Sequence, residues 1–253
     1  MIPLPEAFTS GPLAHRALHH HAAGRIENST SAVQAAIANG IGVEIDVQLS
    51  SDWKAMVFHD YTLARLTDAS GAVRAHPSDT LRQIPLTGST DTIPTLPDIL
   101  ELIAGQIPVL IELKDQDGTL GSNIGRLEQA VAHALQGYDG PTAVMSFNPH
   151  SVRALKDLAP EIPRGLTTCA FPEADWPHIP ASIRDRLAEI PDYDTTGASF
   201  ISHQHTDLTS PHVTRLKDKG AKILCWTIRS PKEEAEARQI AHTFTFEGYD
   251  PTP

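Results

Sequence analysis

Two acidic residues alternate with apolar ones in one stretch of the chain, and their spacing suggests chemistry. Glu44 and Asp46 lie among Val43, Ile45 and Val47, so in a β-strand both carboxylates share one face. Adjacent carboxylates on an apolar strand repel each other and are costly to desolvate unless a positive charge lies between them. A hard divalent cation that takes oxygen ligands fits this pattern. The alternative is a pair of acids at an exposed strand end.

Other apolar runs also end in polar side chains suited to acid–base and phosphate chemistry. These side chains are His15, Arg16, His59, Glu112 and Lys114. Three carboxylates suit Ca²⁺ or Mg²⁺ and leave coordination positions for substrate oxygens. Arginine and lysine suit a phosphate, and two histidines supply a general base and a general acid. Together the residue types predict metal-assisted cleavage of a phosphodiester.

A β/α rhythm must position these side chains. Eight apolar runs are predicted as strands: residues 13–16, 41–47, 54–59, 107–113, 141–147, 164–168, 198–202 and 222–228. Helical patterns cover residues 31–39, 96–103, 125–135, 150–158, 180–189, 211–219 and 231–241. This order predicts a (β/α)₈ TIM barrel in one domain over residues 1–253, whose strand ends meet at one mouth. A doubly wound open sheet is the alternative, but no glycine-rich phosphate loop follows the first strand.

The connection between the second and third predicted strands is unusually short. A parallel crossover normally needs a dozen or more residues, so residues 48–53 are expected to form an irregular, non-helical return. Residues 60–91 contain turn residues and scattered leucines without a long periodic run. They are expected to form a small insertion after the third strand.

Composition limits the possible partners. The net charge is −11, and hydrophobic residues make up 40% of the chain. A sizeable core is therefore available, and a general nucleic-acid binder is not expected. The N-terminus lacks a signal-peptide pattern, and no run approaches the ~20 apolar residues of a membrane span. We expect a cytoplasmic protein without stable membrane insertion, in which Cys169 and Cys225 are reduced and packed.

The order and spacing of several motifs resemble the glycerophosphodiester phosphodiesterase family. The motifs are His15-Arg16, Glu27-Asn28, Glu44-x-Asp46, His59-Asp60, Glu112-Leu113-Lys114 and Trp226-Thr227 in the last predicted strand. The resemblance implies a barrel with a small insertion after the third strand. It also implies hydrolysis of a small glycerophosphodiester to glycerol 3-phosphate and an alcohol.

The resemblance assigns a role to each matching residue. Glu44, Asp46 and Glu112 would hold one divalent cation, Mg²⁺ or Ca²⁺. His15 and His59 would be the acid–base pair. Arg16 and Lys114 would bind the phosphate, and Trp226 would pack near the glycerol end unless it is plain barrel packing. Glu27 and Asn28 would make supporting contacts. The alternatives are a lysophospholipase D-type barrel and a catalytically idle barrel that binds phosphodiesters.

The chain departs from the family pattern at four places. Ala17 follows Arg16 where the family has glycine, and an alanine there is expected to need a different backbone angle. Ile26 replaces proline, and Trp53 replaces the glycine of an Asp-Gly turn and is expected to be partly exposed. Residues 245–248 replace a Thr-Asp that precedes proline. These changes are expected to affect substrate fit more than activity.

Two groups of histidines remain outside the motifs. His19, His20 and His21 are consecutive, so their side chains diverge, and a solvated loop is favoured over a metal cluster. His203 and His205 follow the seventh predicted strand near the same mouth. Loop polarity is favoured for them over substrate contact.

Overall fold

A closed ring of eight parallel strands forms the centre of the computed structural model, which describes residues 1–252. The strands are β1 (Leu13–Ala14), β2 (Gly42–Leu49), β3 (Ala55–Val57), β4 (Val109–Leu113), β5 (Thr142–Ser146), β6 (Arg164–Thr168), β7 (Phe200–Gln204), β8 (Lys222–Ile228) and β9 (Thr243–Phe246). Every strand except β3 belongs to the ring, and β1 closes it by pairing with both β2 and β9. The TIM barrel is confirmed, and the open-sheet alternative is excluded.

Helices connect the ring strands along its outside. They are α1 (Thr30–Ala38), α2 (Ser78–Leu81), α3 (Leu96–Ile103), α4 (Arg126–Leu135), α5 (Pro149–Leu158), α6 (Ala181–Ala188), α7 (Tyr193–Thr196), α8 (Pro211–Asp218) and α9 (Pro231–Ala237). Local sequence explains several of their starts. Thr95 and Asp98 form a capping box at α3, and proline follows a capping side chain at α5, α8 and α9, where its missing N–H costs nothing. No helix within residues 1–252 is long and apolar enough to cross a membrane.

The third strand lies outside the ring, contrary to prediction. β3 pairs antiparallel with β2, with Val57 opposite Val47 and Ala55 opposite Leu49. The return is therefore a hairpin whose turn begins after Leu49, rather than an irregular crossover from residue 48. The hairpin brings the backbone N–H of Phe58 to within 3.0 Å of the carbonyl oxygen of Asp46.

The eighth ring strand is β9, which lies between β8 and β1, and β2 pairs directly with β4 where the third run was expected. β9 is four residues long and was not predicted, and Trp226 consequently lies on the seventh ring strand, β8, rather than on the last one. Leu13 of β1 is paired with Thr245 of β9 on one side and with Gly42 of β2 on the other. The first and last strands are thus direct neighbours.

The faces of β2 separate packing from chemistry. Val43, Ile45 and Val47 belong to a buried apolar cluster that includes residues of α1 and α3. Glu44 and Asp46 alternate with them and therefore lie on the opposite face, inside the barrel. The alternation expected from the sequence thus places the two carboxylates in the barrel interior.

An apolar layer fills the barrel below the acidic residues. Phe200, Leu110 and Leu224 pack there together with Phe8 from the segment that precedes β1. A Cβ at Gly165 would lie only 2.3 Å from the Phe200 ring, so only glycine leaves room for that ring. This dense layer supports the polar residues above it.

The chain between β3 and α3 builds a small cluster of its own. Its apolar side chains, which include Leu63, Leu66 and Leu81, pack against Met56 and Phe58. Ala55 and Val57, the alternate residues of the hairpin, belong to the main core. The β3 segment therefore joins this excursion to the barrel. The domain boundaries, residues 1–253 with an insertion near 60–91, stay a prediction.

Candidate active site

Three carboxylates converge at one end of the barrel interior. Glu44, Asp46 and Glu112 each offer an oxygen, and these oxygens lie within 4.8 Å of one another. The cause is strand register, because Asp46 of β2 is directly paired with Glu112 of β4. All three residues are at most 7% exposed. The structure brings together the acids that the sequence singled out.

Lys114 and Arg16 carry positive charge into this cluster. The Lys114 Nζ lies 2.9 Å from Glu112 Oε1 and 3.0 Å from Asp46 Oδ1. Arg16 Nε lies 3.6 Å from Asp46 Oδ2, and its backbone N–H donates to Glu44 Oε2 at 3.0 Å. Both cations therefore lie beside the acids, where they can also meet an anionic substrate.

The pKa values of the two carboxyls on β2 are shifted in opposite directions. Burial, reinforced by the charges of Asp46 and Glu112, raises the pKa of Glu44 well above its usual value. Burial also opposes ionisation of Asp46, but Lys114 and other neighbours outweigh it and lower the pKa of that carboxyl. Lys114 thus helps to outweigh burial at Asp46 but does not outweigh it at Glu44.

This donor set fits a divalent cation. All three side chains offer hard carboxylate oxygens, the ligands preferred by Mg²⁺ and Ca²⁺. A bound cation would also counteract the burial and the repulsion by Asp46 and Glu112 that raise the pKa of Glu44, because opposite charge favours the ionised form. The buried cluster can therefore hold a metal ion.

His15 is held by a carboxylate from the far end of the chain. Its Nδ1 lies 2.6 Å from Glu247 Oε2, and Arg229 Nε donates to the other oxygen of Glu247 at 2.7 Å. Glu247 follows β9, which neighbours β1, so barrel closure brings the pair together. The contact directs Nδ1 to the carboxylate and leaves Nε2 for a substrate.

His59 has a matching partner next to it in sequence. Its Nδ1 lies 2.6 Å from Asp60 Oδ1, and the side-chain amide of Gln48 donates to its backbone carbonyl at 3.1 Å. Each of the two histidines therefore has its Nδ1 beside a carboxylate. Such a contact fixes the tautomer and the ring orientation, as a catalytic imidazole requires.

The loop that precedes α1 contributes Glu27 and Asn28, which form hydrogen bonds with residues of the site. Asn28 Nδ2 donates to Asp46 Oδ2 at 2.9 Å, and its Oδ1 accepts the backbone N–H of Asp46 at 3.1 Å. Glu27 accepts a hydrogen bond from Arg16 Nη1 at 2.7 Å and two from Arg65. The geometry agrees with the supporting contacts expected for both residues.

These side chains surround one cavity of about 150 Å³. His15, His59 and the acidic cluster line it together with the apolar side chains of Met145, Phe147 and Trp226. The Trp226 indole N–H donates to the Ser202 carbonyl at 3.0 Å, which fixes the ring beside Phe147. The lining thus combines charged and apolar side chains, a combination suited to a small amphipathic anion.

Comparison with known proteins identifies the family. Residues 15–243 match the model of the glycerophosphoryl diester phosphodiesterase family. The chain belongs to this family. The resemblance noted in the motifs is thereby confirmed, as is the expectation of an enzyme that hydrolyses phosphoric diesters.

Individual relatives of this phosphodiesterase agree with the assignment. A solved Oleispira antarctica phosphodiesterase, in complex with the product sn-glycerol-3-phosphate, has a TM-score of 0.76 at 25% identity and covers 95% of this chain and 94% of its own. The glycerophosphodiester phosphodiesterase of Caldanaerobacter subterraneus subsp. tengcongensis is 30% identical over 149 residues, 55% of this chain and 60% of its own. YhdW of Bacillus subtilis (strain 168) is 26% identical over 238 residues, 90% of each chain.

The other histidines singled out from the sequence, His19–His21, His203 and His205, are not among the residues that line this cavity. The expectation of loop polarity is wrong for His203, which is a buried residue of β7 and bonds to Thr168 Oγ1 at 2.7 Å and to Asp207 at 3.1 Å. His19 is mostly buried, 3.6 Å from Glu247, whereas His21 is half exposed. Within residues 1–252, the acidic cluster is the one group with metal-ligand spacing.

Two departures from the family pattern have clear structural outcomes. Ala17 has a φ of +65°, which lies in the left-handed region that glycine favours. Ala17 is also buried. Trp53 is 57% exposed, as expected, and the Arg126 guanidinium lies over its ring. Neither side chain lines the cavity.

The sequence reasoning missed Glu247, Arg229 and Arg65, and it gave Asp60 no role. Glu247 directly follows the short apolar run of β9. Like His15 and His59, Glu247 is a polar residue at the end of an apolar run, but a run of four residues is a weak signal. Arg65 has no comparable signal, because its partners lie 5 and 38 residues away.

Proposed function

We propose that this phosphodiesterase hydrolyses glycerophosphodiesters to sn-glycerol 3-phosphate and an alcohol, with one divalent cation and two catalytic histidines. A single observation carries the proposal. His15 and His59, each with Nδ1 beside a carboxylate, line the same cavity as the three-carboxylate cluster. The product named for the Oleispira antarctica structure supports the choice of substrate class.

Arg16 and Lys114 bind the phosphate. The guanidinium provides a planar fork and the ammonium a compact charge, and both border the cavity. Burial disfavours the charged form of Lys114, but Asp46 and Glu112 outweigh it and raise the pKa of its amine. Lys114 therefore stays protonated and can stabilise negative charge on phosphate oxygens.

Glu44, Asp46 and Glu112 hold the cation, and Mg²⁺ and Ca²⁺ are the candidates for this oxygen donor set. When bound, the ion supplies Lewis-acid stabilisation of charge on the phosphoryl group. Asn28 keeps Asp46 in position by two hydrogen bonds. A cluster held this firmly presents its oxygens to the ion at little ordering cost.

The two histidines move the protons. One takes a proton from the nucleophile, the other donates a proton to the leaving alcohol, and each transfer typically contributes 10²–10⁴-fold. Burial lowers the pKa of His15 although Glu247 acts in the opposite direction. A lowered pKa favours the neutral imidazole, the state that a general base requires.

Two nucleophiles fit this arrangement. Water can attack phosphorus directly, or the neighbouring glycerol 2-hydroxyl can attack and form a cyclic phosphate that is opened afterwards. A 2-deoxy glycerophosphodiester separates them. Cleavage at an unchanged rate excludes the cyclic route, whereas loss of cleavage with normal binding supports it.

The test of the proposal measures release of sn-glycerol 3-phosphate from glycerophosphocholine and glycerophosphoethanolamine. Chelator should abolish release, and Mg²⁺ or Ca²⁺ should restore it. Glu128→Gln is the matched control for substitutions of the cluster carboxylates. Glu128 is also a buried carboxylate, but it caps α4 away from the cavity. Absence of release from every glycerophosphodiester in the presence of both ions would contradict the proposal.

A cytoplasmic location belongs to the same proposal. Cys169 and Cys225 are free thiols, and both are buried. Burial raises the pKa of Cys169 to about 11 and that of Cys225 to about 12. Packed, protonated thiols agree with a reducing compartment.

A further inference from the structure

We propose that Arg65 is a positioning residue that couples the catalytic His59 to the phosphate-binding Arg16. This inference rests on the proposed function, which assigns those two roles. Arg65 belongs to the excursion between β3 and α3, so the excursion contributes to catalysis through this side chain.

The Arg65 guanidinium donates two hydrogen bonds to each of two carboxylates. Nε and Nη2 donate to Asp60 at 2.6 and 2.9 Å, and Nη1 and Nη2 donate to Glu27 at 2.9 and 2.7 Å. Bidentate arginine–carboxylate contacts fix geometry as well as charge. Two such contacts on one guanidinium hold Asp60 and Glu27 at a set separation.

Each of these carboxylates continues to a residue of the cavity. Asp60 Oδ1 lies 2.6 Å from His59 Nδ1, and Glu27 Oε1 accepts from Arg16 Nη1 at 2.7 Å. An unbroken series of charged contacts therefore runs from His59 through Arg65 to Arg16. A shift of Arg65 changes the acid–base residue and the phosphate ligand together.

The backbone around Arg65 is itself anchored. Leu63 and Leu66 are buried in the apolar cluster of the excursion, and Leu66 N–H donates to the Leu63 carbonyl at 3.3 Å. Arg65 thus extends from a packed turn toward Glu27, whose side chain is only 6% exposed. The partly exposed guanidinium is thus anchored by a packed backbone turn and bonds to a buried carboxylate.

Arg65 could instead serve only to tie the excursion to the barrel. Arg82 provides the comparison, because it also lies in the excursion and its Nη2 donates to Asp98 of α3 at 3.1 Å. The Arg82–Asp98 pair joins the same two parts of the structure without contacting the cavity residues. If Arg65 only attaches the excursion to the barrel, substitution of either arginine should affect turnover similarly. If Arg65 positions the cavity residues, only its substitution should lower turnover.

The experiment compares Arg65→Ala, Arg65→Lys and Arg82→Ala for turnover of glycerophosphocholine and for thermal unfolding. We expect Arg65→Ala to lower kcat by about 10- to 100-fold, the effect of a small misplacement of reacting groups. KM should rise severalfold, because Glu27 would then hold Arg16 alone and draw it from the phosphate. Arg65→Lys keeps the charge without the fork and should also lose kcat while remaining folded. Arg82→Ala should keep wild-type kcat and KM.

Added guanidinium ion tests whether the missing group of Arg65→Ala acts by positioning its carboxylate partners. It should restore part of the kcat of Arg65→Ala, whereas methylammonium, a cation without a fork, should not. A purely structural tie would respond to neither ion. Wild-type kcat and KM in both Arg65 variants, or equal losses in Arg65→Ala and Arg82→Ala, would overturn the inference.

A second readout does not depend on turnover. The imidazole ¹⁵N resonances of His59, assigned with His59→Gln, should shift in Arg65→Ala and stay unchanged in Arg82→Ala. Unchanged resonances in Arg65→Ala would overturn the coupling even if wild-type protein cleaves no glycerophosphodiester. An inactive wild type with shifted resonances would instead refute the proposed function and support the coupling.

Discussion

Asp46 and Glu112 are directly paired across neighbouring parallel strands, and the Lys114 ammonium lies within 3.0 Å of an oxygen of each. An ammonium already neutralises part of the charge that a divalent cation would meet. Lys114 must therefore share these oxygens with the ion or turn toward the substrate phosphate. The second response would link metal binding to phosphate binding.

The first prediction concerns this acidic pair. Asp46→Asn and Glu112→Gln should each weaken Mg²⁺ or Ca²⁺ binding by at least about tenfold, because each removes a charged oxygen ligand. Titration calorimetry measures the affinity, and the rate of glycerol 3-phosphate release should fall in parallel. Unaltered metal affinity in both variants would remove these acids from the metal site.

The second prediction separates the acid from the base. His15→Gln and His59→Gln should each lower kcat for glycerophosphocholine by about 10²–10⁴-fold. A nitrophenolate leaving group needs no protonation, so the variant that lacks the general acid should recover most of its activity on a nitrophenyl diester. The variant that lacks the base should not recover. Near-native turnover of the natural substrate by either variant would contradict the pair.

The third prediction concerns Glu247, the partner of His15. Its carboxylate raises the pKa of His15 against the larger lowering by burial, so Glu247→Gln should lower that pKa further. The acid limb of the profile of kcat/KM against pH should move to lower pH. Turnover should also fall by about 10- to 100-fold, because the ring loses the partner that orients it.

Glu234→Gln is the control for Glu247→Gln. Glu234 also pairs with an arginine, Arg238, at 2.8 Å, but it lies outside the cavity. Its replacement should reduce the free energy of unfolding without moving the pH profile. Equal pH profiles for Glu247→Gln and wild type would show that Glu247 does not act on His15.

The fourth prediction concerns stability in acid. Burial opposes ionisation of Glu27, but hydrogen bonds from Arg65 and the charge of Arg16 outweigh it and lower its pKa to about 2. The unfolded chain binds this proton near pH 4.5, so the stabilisation is complete above that pH and is lost as pH falls toward 2. This group can change the free energy of unfolding by up to about 1.4 kcal/mol per pH unit.

Urea unfolding between pH 5 and pH 2.5 measures this slope. Glu27→Gln cannot titrate, so its free energy of unfolding should depend less steeply on pH than that of wild type. Asp52→Asn is the comparison, since the low pKa of Asp52 arises from Ser50 and Ser78 outside the cavity. An unchanged slope in Glu27→Gln would show that the carboxylate is not stabilised as described.

The polar face of the barrel strands was predictable because it depends on a local period. Glu44, Asp46 and Glu112 alternate with apolar residues, and that alternation decides which face each one occupies. The two histidines proposed as the acid–base pair were found by the same logic, since each ends an apolar run. Site features that follow from one strand at a time are accessible to sequence reasoning.

Features that depend on pairing between distant segments were not predictable in this way. β3 has only three residues, and nothing in them distinguishes an antiparallel hairpin from a parallel ring strand. β9 is a four-residue run that contains two threonines, too short for its alternation to stand out. The contact of His15 with Glu247 spans 232 residues, and it exists only once the ring has closed.

Closure of the ring has a consequence for synthesis on the ribosome. Until Thr243–Phe246 emerges, β1 and β8 each keep an unpaired edge, and His15 has no carboxylate beside it. The nascent barrel is then exposed to edge-to-edge association and cannot yet orient one of its two imidazoles. The strand that completes the ring therefore also brings Glu247 to His15, so a barrel without β9 would lack both ring closure and this contact.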